Sequence, residues 1–396
     1  MASHKAVSGQ CPTWTTRPGV FRVRRSTEVV HLQMGPRMPH PELAGLYRKF
    51  ARSERRQSSA VVRLENAPAA RAVALPQKAT WREGFATNRE GGYTRTMDFD
   101  ADIREQIFAR LPRAPEVDAE LSAMATRDLL TIYGYWLSRL ISPQPRQVHK
   151  SKVLLANPLA TDTRYAPGLH QIISRVTNGE DITPHLSKRI RTGYQSSSAP
   201  TLQRREDLDL MLSDWGVHHL HLSTEMDTDG FFVKRDGPLL FAAFRPSDAY
   251  LIDIADHKSW TRVDILRIIV EEWPDAGIVH KIDGLTSPSV SGAERQRLRN
   301  AGIGGAMIEI NDATYSPAAL MSTAGLTFNS VRSADKLLSD VAWFRDQITK
   351  SGSIVASALV EAGITLPPNT DLHFTFLERG YGVVDRNTGF VFRLSL

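Results

Sequence analysis

Cysteine is all but missing: Cys11 is the single thiol among 396 residues, so no internal disulfide can form and the chain suits a reducing compartment. Cys11 stands in a Gly- and Pro-rich stretch with no Cys or His partner beside it, which reads as an incidental thiol rather than a nucleophile. Long apolar runs are missing as well. No segment approaches the ~18 apolar residues that a membrane helix needs, and the N-terminus lacks the apolar core of a signal peptide, so the expectation is a cytoplasmic protein with no membrane partner. There is no His-Glu-x-x-His helix, no cysteine ligand set and no internal repeat. Gly302-Ile303-Gly304-Gly305 lacks the rest of a dinucleotide-binding fingerprint and is read as a turn.

What is present is an ordinary globular composition, 41% hydrophobic and 23% charged, with length for two or three domains. The net charge of +6 is unevenly spread, since residues 1–96 hold 17 Lys and Arg against 6 Asp and Glu. A basic N-terminal stretch of this kind suits an arm that meets phosphates, and equally suits a solvated leader. The pattern divides the chain into a basic, weakly ordered arm over 1–97 with a short helix at Pro41 to Arg56, a central domain over 98–284, and a C-terminal unit over 285–396. Helical spacing marks Ile103 to Leu111, Arg127 to Ile141, Gly168 to Val176 and Leu186 to Arg191. Gly193 to Pro200, with three serines in a row, reads as a flexible loop. In the C-terminal unit, a helix around Ala334 to Gly352 precedes a hairpin built from Leu372 to Leu377, Gly382 to Asp385 and Phe390 to Leu394.

Chemistry concentrates between Trp215 and Trp273. Val217 to Ser223, Leu239 to Phe244 and Tyr250 to Ala255 are short and apolar enough to be strands, the last two joined by the turn Arg245-Pro246-Ser247-Asp248-Ala249, and Asp264 to Trp273 returns to helical spacing. Alternation along a strand puts His218 with Leu220 and Leu222, and His219 and His221 with Ser223 on the other, expectedly exposed, face. The same rule sets Ile252 and Ile254 on one side of the third strand, and Asp253, Ala255 and His257 on the other. Three imidazoles are therefore expected on one polar face. Histidine suits proton transfer near neutrality, and RNA cleavage by transesterification needs a base for the 2′-hydroxyl, an acid for the leaving 5′-oxygen and a cation for the phosphorane. His219, His221 and His257 can supply the first two, and Lys234, Arg235 and Lys258 the third. The His-x-His pair also suits a transition metal with His257 or Asp253 as third ligand, and each histidine can equally be structural.

The order of helices, His219-Leu220-His221-Leu222, Leu239-Leu240-Phe241-Ala242-Ala243-Phe244, a polar turn, Tyr250-Leu251-Ile252-Asp253-Ile254 and Asp256-His257-Lys258-Ser259-Trp260 resembles the C-terminal half of RelE-superfamily toxins, nearest to the YafQ-like branch, over about residues 208–273. The resemblance implies a helix-flanked antiparallel sheet and a metal-independent endoribonuclease of toxin–antitoxin type that cuts messenger RNA on the ribosome. It places catalytic roles on His219 or His221 and on His257, with Trp260 stacking on a base. Two features depart from that pattern: the chain's length, and the spacer Thr224 to Pro238 with its acidic Glu225, Asp227 and Asp229. The expectation is thus an α+β protein with a RelE-like sheet, a basic and partly disordered N-terminal arm and a small C-terminal helix and β-hairpin unit. Arg22, Arg24 and Arg25 join Lys234, Arg235 and Lys258 as RNA-binding residues. RNA and an antitoxin are the expected partners, and no cofactor is required. A non-catalytic module that binds nucleic acid or protein, and a metal-dependent nuclease or hydrolase, are the rival readings.

Overall fold

In a computed structural model, the chain is described at residues 97–196, 207–257, 259, 262–286, 290–301, 307–320, 322, 325–350, 352–361, 370–377 and 380–395, and at the strand residues 25–26, 29–33 and 61–65. Among the described residues the fold is mixed α+β with three small sheets. Their thirteen strands run β1 Arg25–Ser26, β2 Val29–Gln33, β3 Val61–Glu65, β4 Gln147–Lys150, β5 His218–His221, β6 Leu239–Phe244, β7 Asp248–Ala255, β8 Val279–Ile282, β9 Ile308–Ile310, β10 Ala313–Pro317, β11 Leu372–Phe376, β12 Tyr381–Asp385 and β13 Val391–Ser395. The expected helix at 41–56 and the turn at 302–305 lie outside the described residues.

Two compact units emerge, one made of 1–102 with 341–396 and the other of 103–340. These bounds differ from the expected arm, centre and C-terminal unit. The reason lies in strand pairing: β3 pairs antiparallel with β13, Val61 opposite Ser395 and Glu65 opposite Val391, in a six-stranded sheet ordered β1-β2-β3-β13-β12-β11. The C-terminal hairpin was expected, whereas its partner strands from the basic N-terminal part were not. In this unit the Asp102 carboxylate takes the backbone N–H of Phe374 at 2.8 Å and lies 2.8 Å from His373 Nδ1.

The second unit carries the histidines, on a four-stranded sheet ordered β4-β7-β6-β5. β6 and β7 form the expected antiparallel hairpin. β4, which apolar alternation does not mark as a strand, pairs parallel with β7, so the sheet is antiparallel with one parallel edge. His149 stacks on Tyr250 at 4.9 Å and reaches Asp248 at 2.8 Å, which fastens this edge. Between Phe241 and Ala242 the β6–β7 register shifts: Phe241 faces Asp253 while Ala242 faces Leu251, leaving Ile252 as the extra residue of a bulge.

Both faces of this sheet are packed. One meets Met211, Trp215 and the helix Asp264–Glu272, whose Ile265, Leu266 and Ile269 lie over Leu239, Phe241 and Ile252. That helix ends at Trp273-Pro274, since proline cannot continue the hydrogen-bond ladder. The other face meets Leu169, Ile172 and Val176 of the helix Ala166–Asn178, against Leu220, Leu240, Leu251 and Ile254. Each such side chain contributes roughly 1.5–3 kcal/mol by leaving water. Gly168 lets this second helix close on the sheet, because a Cβ there would sit 1.6 Å from the Leu222 carbonyl oxygen. Among the described residues no helix is long and apolar enough to cross a membrane.

Candidate functional site

β5 is an edge strand, and the segments that cover its free edge build the site. Asp209 begins the helix Leu210–Trp215 by accepting the Leu212 N–H at 3.1 Å, as an N-cap carboxylate does. Its second oxygen lies 3.4 Å from His219 Nδ1. One carboxylate thus starts a helix and orients an imidazole. Behind it, the Arg139 guanidinium donates to the carbonyls of Arg189, Asp207, Thr192 and Gly193, tying the covering segments together.

His219, His221 and His257 come together. The His219 and His221 rings lie 6.2 Å apart edge to face, and His221 and His257 lie 6.0 Å apart. The face they share is nevertheless a packed one, contrary to the expected exposed surface: it carries the core residues Val217, Leu239, Phe241 and Ala255, and Arg235 and Asp209 close on the rings of His221 and His219. His221 is only 3% exposed, His219 is largely covered, and His257 alone stands in solvent. The expected parity of the third strand fails for the same physical reason that His257 arrives here. The bulge reverses the alternation: Ile252 and Ala255 share one core, and Ile254 enters the other. The row His221–Leu239–Ala255 then runs across three strands, and the turn after Ala255 carries His257 to its end.

Hydrogen bonding sets the protonation state of His221. Arg235 Nη1 lies 3.0 Å from His221 Nε2, and a guanidinium only donates, so this nitrogen accepts and the ring proton sits on Nδ1. Burial first, and then Arg235, hold the His221 imidazole down at about 3. Arg235 also donates to the Leu186 carbonyl at 2.7 Å and lies over the Phe232 ring. His185, itself buried and pushed down by burial, hydrogen-bonds the His221 carbonyl through Nδ1 at 2.8 Å. Burial lowers His219 too, with Asp209 opposing the shift. His218 falls on the Leu220 side as expected, edge-on to Phe244 at 5.6 Å, and burial pushes it down to about 4.

The remaining expected residues divide. Lys234 is exposed and pairs with Glu225. Lys188 reaches Asp227 and Asp229, and Arg191 reaches Asp229 at 3.3 Å, so the acidic spacer is neutralised by its own neighbours. Asp253 is buried and accepts from Asn157 Nδ2 at 2.7 Å and from the Ile254 N–H. Among the described residues no three His, Cys, Asp or Glu side chains are placed to hold a metal ion. Trp260, Lys258, Arg22 and Arg24 lie outside the described residues, and Arg25 is described only as a strand residue opposite Val30. The crevice in front of His219 measures about 10 Å³, room for about one water, which leaves His257 as the member a large substrate can touch. The sequence did not single out His185, Asp209 or Arg139. Asp209 alone carried a signal, as an N-cap residue before an apolar helix. Comparison with family models, curated proteins and solved structures finds no match.

Proposed function

We propose that the unit 103–340 is a metal-independent endoribonuclease of the RelE-like kind, working through histidine acid–base chemistry at the exposed end of the imidazole row. The observation that carries this reading is the series His219, His221, His257, with neighbouring rings 6.2 and 6.0 Å apart and only the last in solvent. In the reaction, one imidazole takes the proton of a ribose 2′-hydroxyl, the 2′-oxygen attacks phosphorus, and the 5′-oxygen leaves with a proton from an acid. The products are a 2′,3′-cyclic phosphate and a 5′-hydroxyl. His257 meets the substrate, takes the 2′-hydroxyl proton and returns it to the leaving 5′-oxygen, so the protons balance on one imidazole. His221 stays neutral behind it, its Nε2 held by Arg235, and His219 is oriented by Asp209. Arg235 contributes positive potential through the row rather than a direct grip on phosphate, since its described bonds point to His221 and Leu186. RNA, on the ribosome or free, is the partner, and an antitoxin protein would cover the same exposed end. The test is an RNA-cleavage assay with product-end analysis: cleavage with EDTA present and 5′-hydroxyl ends supports the reading. Loss with chelator and recovery with zinc or manganese moves it to a metal-dependent nuclease.

A second reading is favoured by the bonds of Arg235, His221, His185 and Leu186, which knit the edge of the sheet whether or not any chemistry occurs. In it the unit is a binding module with structural histidines. Absence of cleavage on free and ribosome-bound RNA alike selects this one.

A further inference from the structure

The acidic spacer between β5 and β6 is folded onto a basic turn. Its backbone makes a narrow loop, with Met226 opposite Val233 and the Phe232 carbonyl accepting the Asp227 N–H at 2.7 Å. Asp229 divides its two oxygens. Oδ1 accepts the N–H groups of Phe231 and Phe232, both at 3.0 Å, while Oδ2 lies 3.3 Å from Lys188 Nζ and 3.3 Å from Arg191 Nη1. Asp227 does the same, with Oδ1 accepting the Thr228 N–H and Oδ2 accepting from Lys188 Nζ at 2.5 Å. The Phe232 and Phe231 N–H groups hold the Asp229 carboxyl down at about 2, so it is charged at neutral pH. One oxygen of each aspartate therefore shapes the loop, and the other covers a cation.

The covered cations border the imidazole row. Ser187 and Arg189, on either side of Lys188, line the crevice in front of His219. The Leu186 carbonyl accepts from Arg235, whose other bond goes to His221 Nε2. Arg191 lies over the Phe231 ring at 4.7 Å, and Phe231 is 43% exposed. The side chains of Lys188 and Arg191 keep nearly half of their surface in water, 43% and 48%. Ion pairs this exposed add little to stability and are screened by salt, so the aspartates form a cover that another anion can displace. That anion must bring several charges at short spacing and offer oxygens to an ammonium and a guanidinium together. Successive phosphates of a single strand meet both conditions, and the exposed Phe231 ring gives a base a surface to stack on.

We propose that Lys188 and Arg191 form a phosphate subsite for single-stranded RNA beside the imidazole row, and that Asp227 and Asp229 occupy it as an autoinhibitory cover until RNA displaces them. The choice of RNA rests on the ribonuclease reading of the His219–His221–His257 row. The cover sets a threshold, because one phosphate replaces a single carboxylate contact whereas a strand replaces both and adds further contacts.

The test uses the full chain in EDTA and a fluorescent single-stranded RNA of about 12 nucleotides, within the usual span of single-strand sites, made with 2′-O-methyl riboses so that it cannot be cut. Affinity is read by fluorescence anisotropy over a range of salt. Asp227→Asn with Asp229→Asn keeps the oxygens that shape the loop and removes the charge, and should tighten binding by about 5-fold or more, the lower end of usual coupling between competing contacts. Asp275→Asn with Asp283→Asn removes the same charge from exposed positions outside the loop and should leave affinity within about 2-fold, since distant charges are screened. Lys188→Gln with Arg191→Gln should weaken binding and reduce the salt slope by about 1.4, the share of two phosphate contacts on a single strand. Folding is checked by circular dichroism, and the single variants Asp227→Asn and Asp229→Asn replace the pair if it does not fold. Cleavage of unmodified RNA by the wild-type chain is scored beside these. Tightening without any cleavage supports the covered subsite and removes the ribonuclease reading; cleavage with no tightening overturns the cover and leaves that reading standing. Equal tightening in the control pair, or an unchanged salt slope in Lys188→Gln with Arg191→Gln, also overturns the proposal.

Discussion

At the scale of single residues, the site is governed by what each imidazole is allowed to carry. His221 accepts from a permanent cation at 3.0 Å, so protonating it would set two positive charges side by side. Arg235→Met removes that constraint, and the His221 pKa, read by NMR, should rise towards the ordinary histidine value while staying below it through burial. Stability should fall by about 1.5–3 kcal/mol in the same variant, measured by urea unfolding. A pH dependence follows from His221 and His218 together, held at about 3 and about 4 in the folded chain. The unfolded chain takes up protons on both below about pH 6.5 while the folded chain does not, so stability is full above that pH and declines as pH falls towards 4. Thermal unfolding between pH 7 and pH 4 should show this slope, and His221→Gln should flatten it. An equally steep slope in that variant would mean that His221 is not a source of the effect.

At the scale of elements, close approach and one bulge position the row. Gly168 lies against the Leu222 carbonyl with no space for a Cβ, so Gly168→Ala must push the helix Ala166–Asn178 off the sheet. A loss of at least about 2 kcal/mol is expected, against the small gain that alanine brings to an unconstrained helix, and a calorimetric melting temperature checks it. Deleting Ile252 removes the extra residue of the bulge. The turn carrying His257 should then rotate away from His221, which a lost nuclear Overhauser contact between the two rings would report. These elements also mark how far the sequence could be read. β6, its hairpin with β7 and the helix Asp264–Glu272 were legible because apolar spacing and the Pro246 turn act locally. β4 was not, since its basic residues acquire a strand's role only by pairing with β7 about a hundred residues on. The shared face of His219 and His221 was legible from alternation in β5, but their burial was not, and His257 joins them through the bulge in β7. Which helix covers a sheet face is a tertiary fact, and a bulge leaves no signature in apolar alternation.

At the scale of the whole chain, the basic N-terminal part and the last strand are bound into one sheet. A chain beginning after Glu65 would leave β13 without β3, so hydrogen exchange at Val391–Ser395 should lose protection on that side of the strand. Under the proposed function, neutralising Arg22, Arg24, Arg52, Arg55 and Arg56 should weaken RNA binding and flatten its salt dependence, with little change in the rate at saturating RNA. An unaltered salt slope would remove the arm from the interface. The account as a whole rests on His257, the exposed end of the imidazole row, as a proton carrier. Single-turnover cleavage of RNA in EDTA, compared between the wild-type chain and a folded His257→Gln, measures that most directly. The predicted result is chelator-resistant cleavage that falls by roughly 10²- to 10⁴-fold in the variant; cleavage at an unchanged rate in His257→Gln, or no cleavage by the wild-type chain, would contradict it.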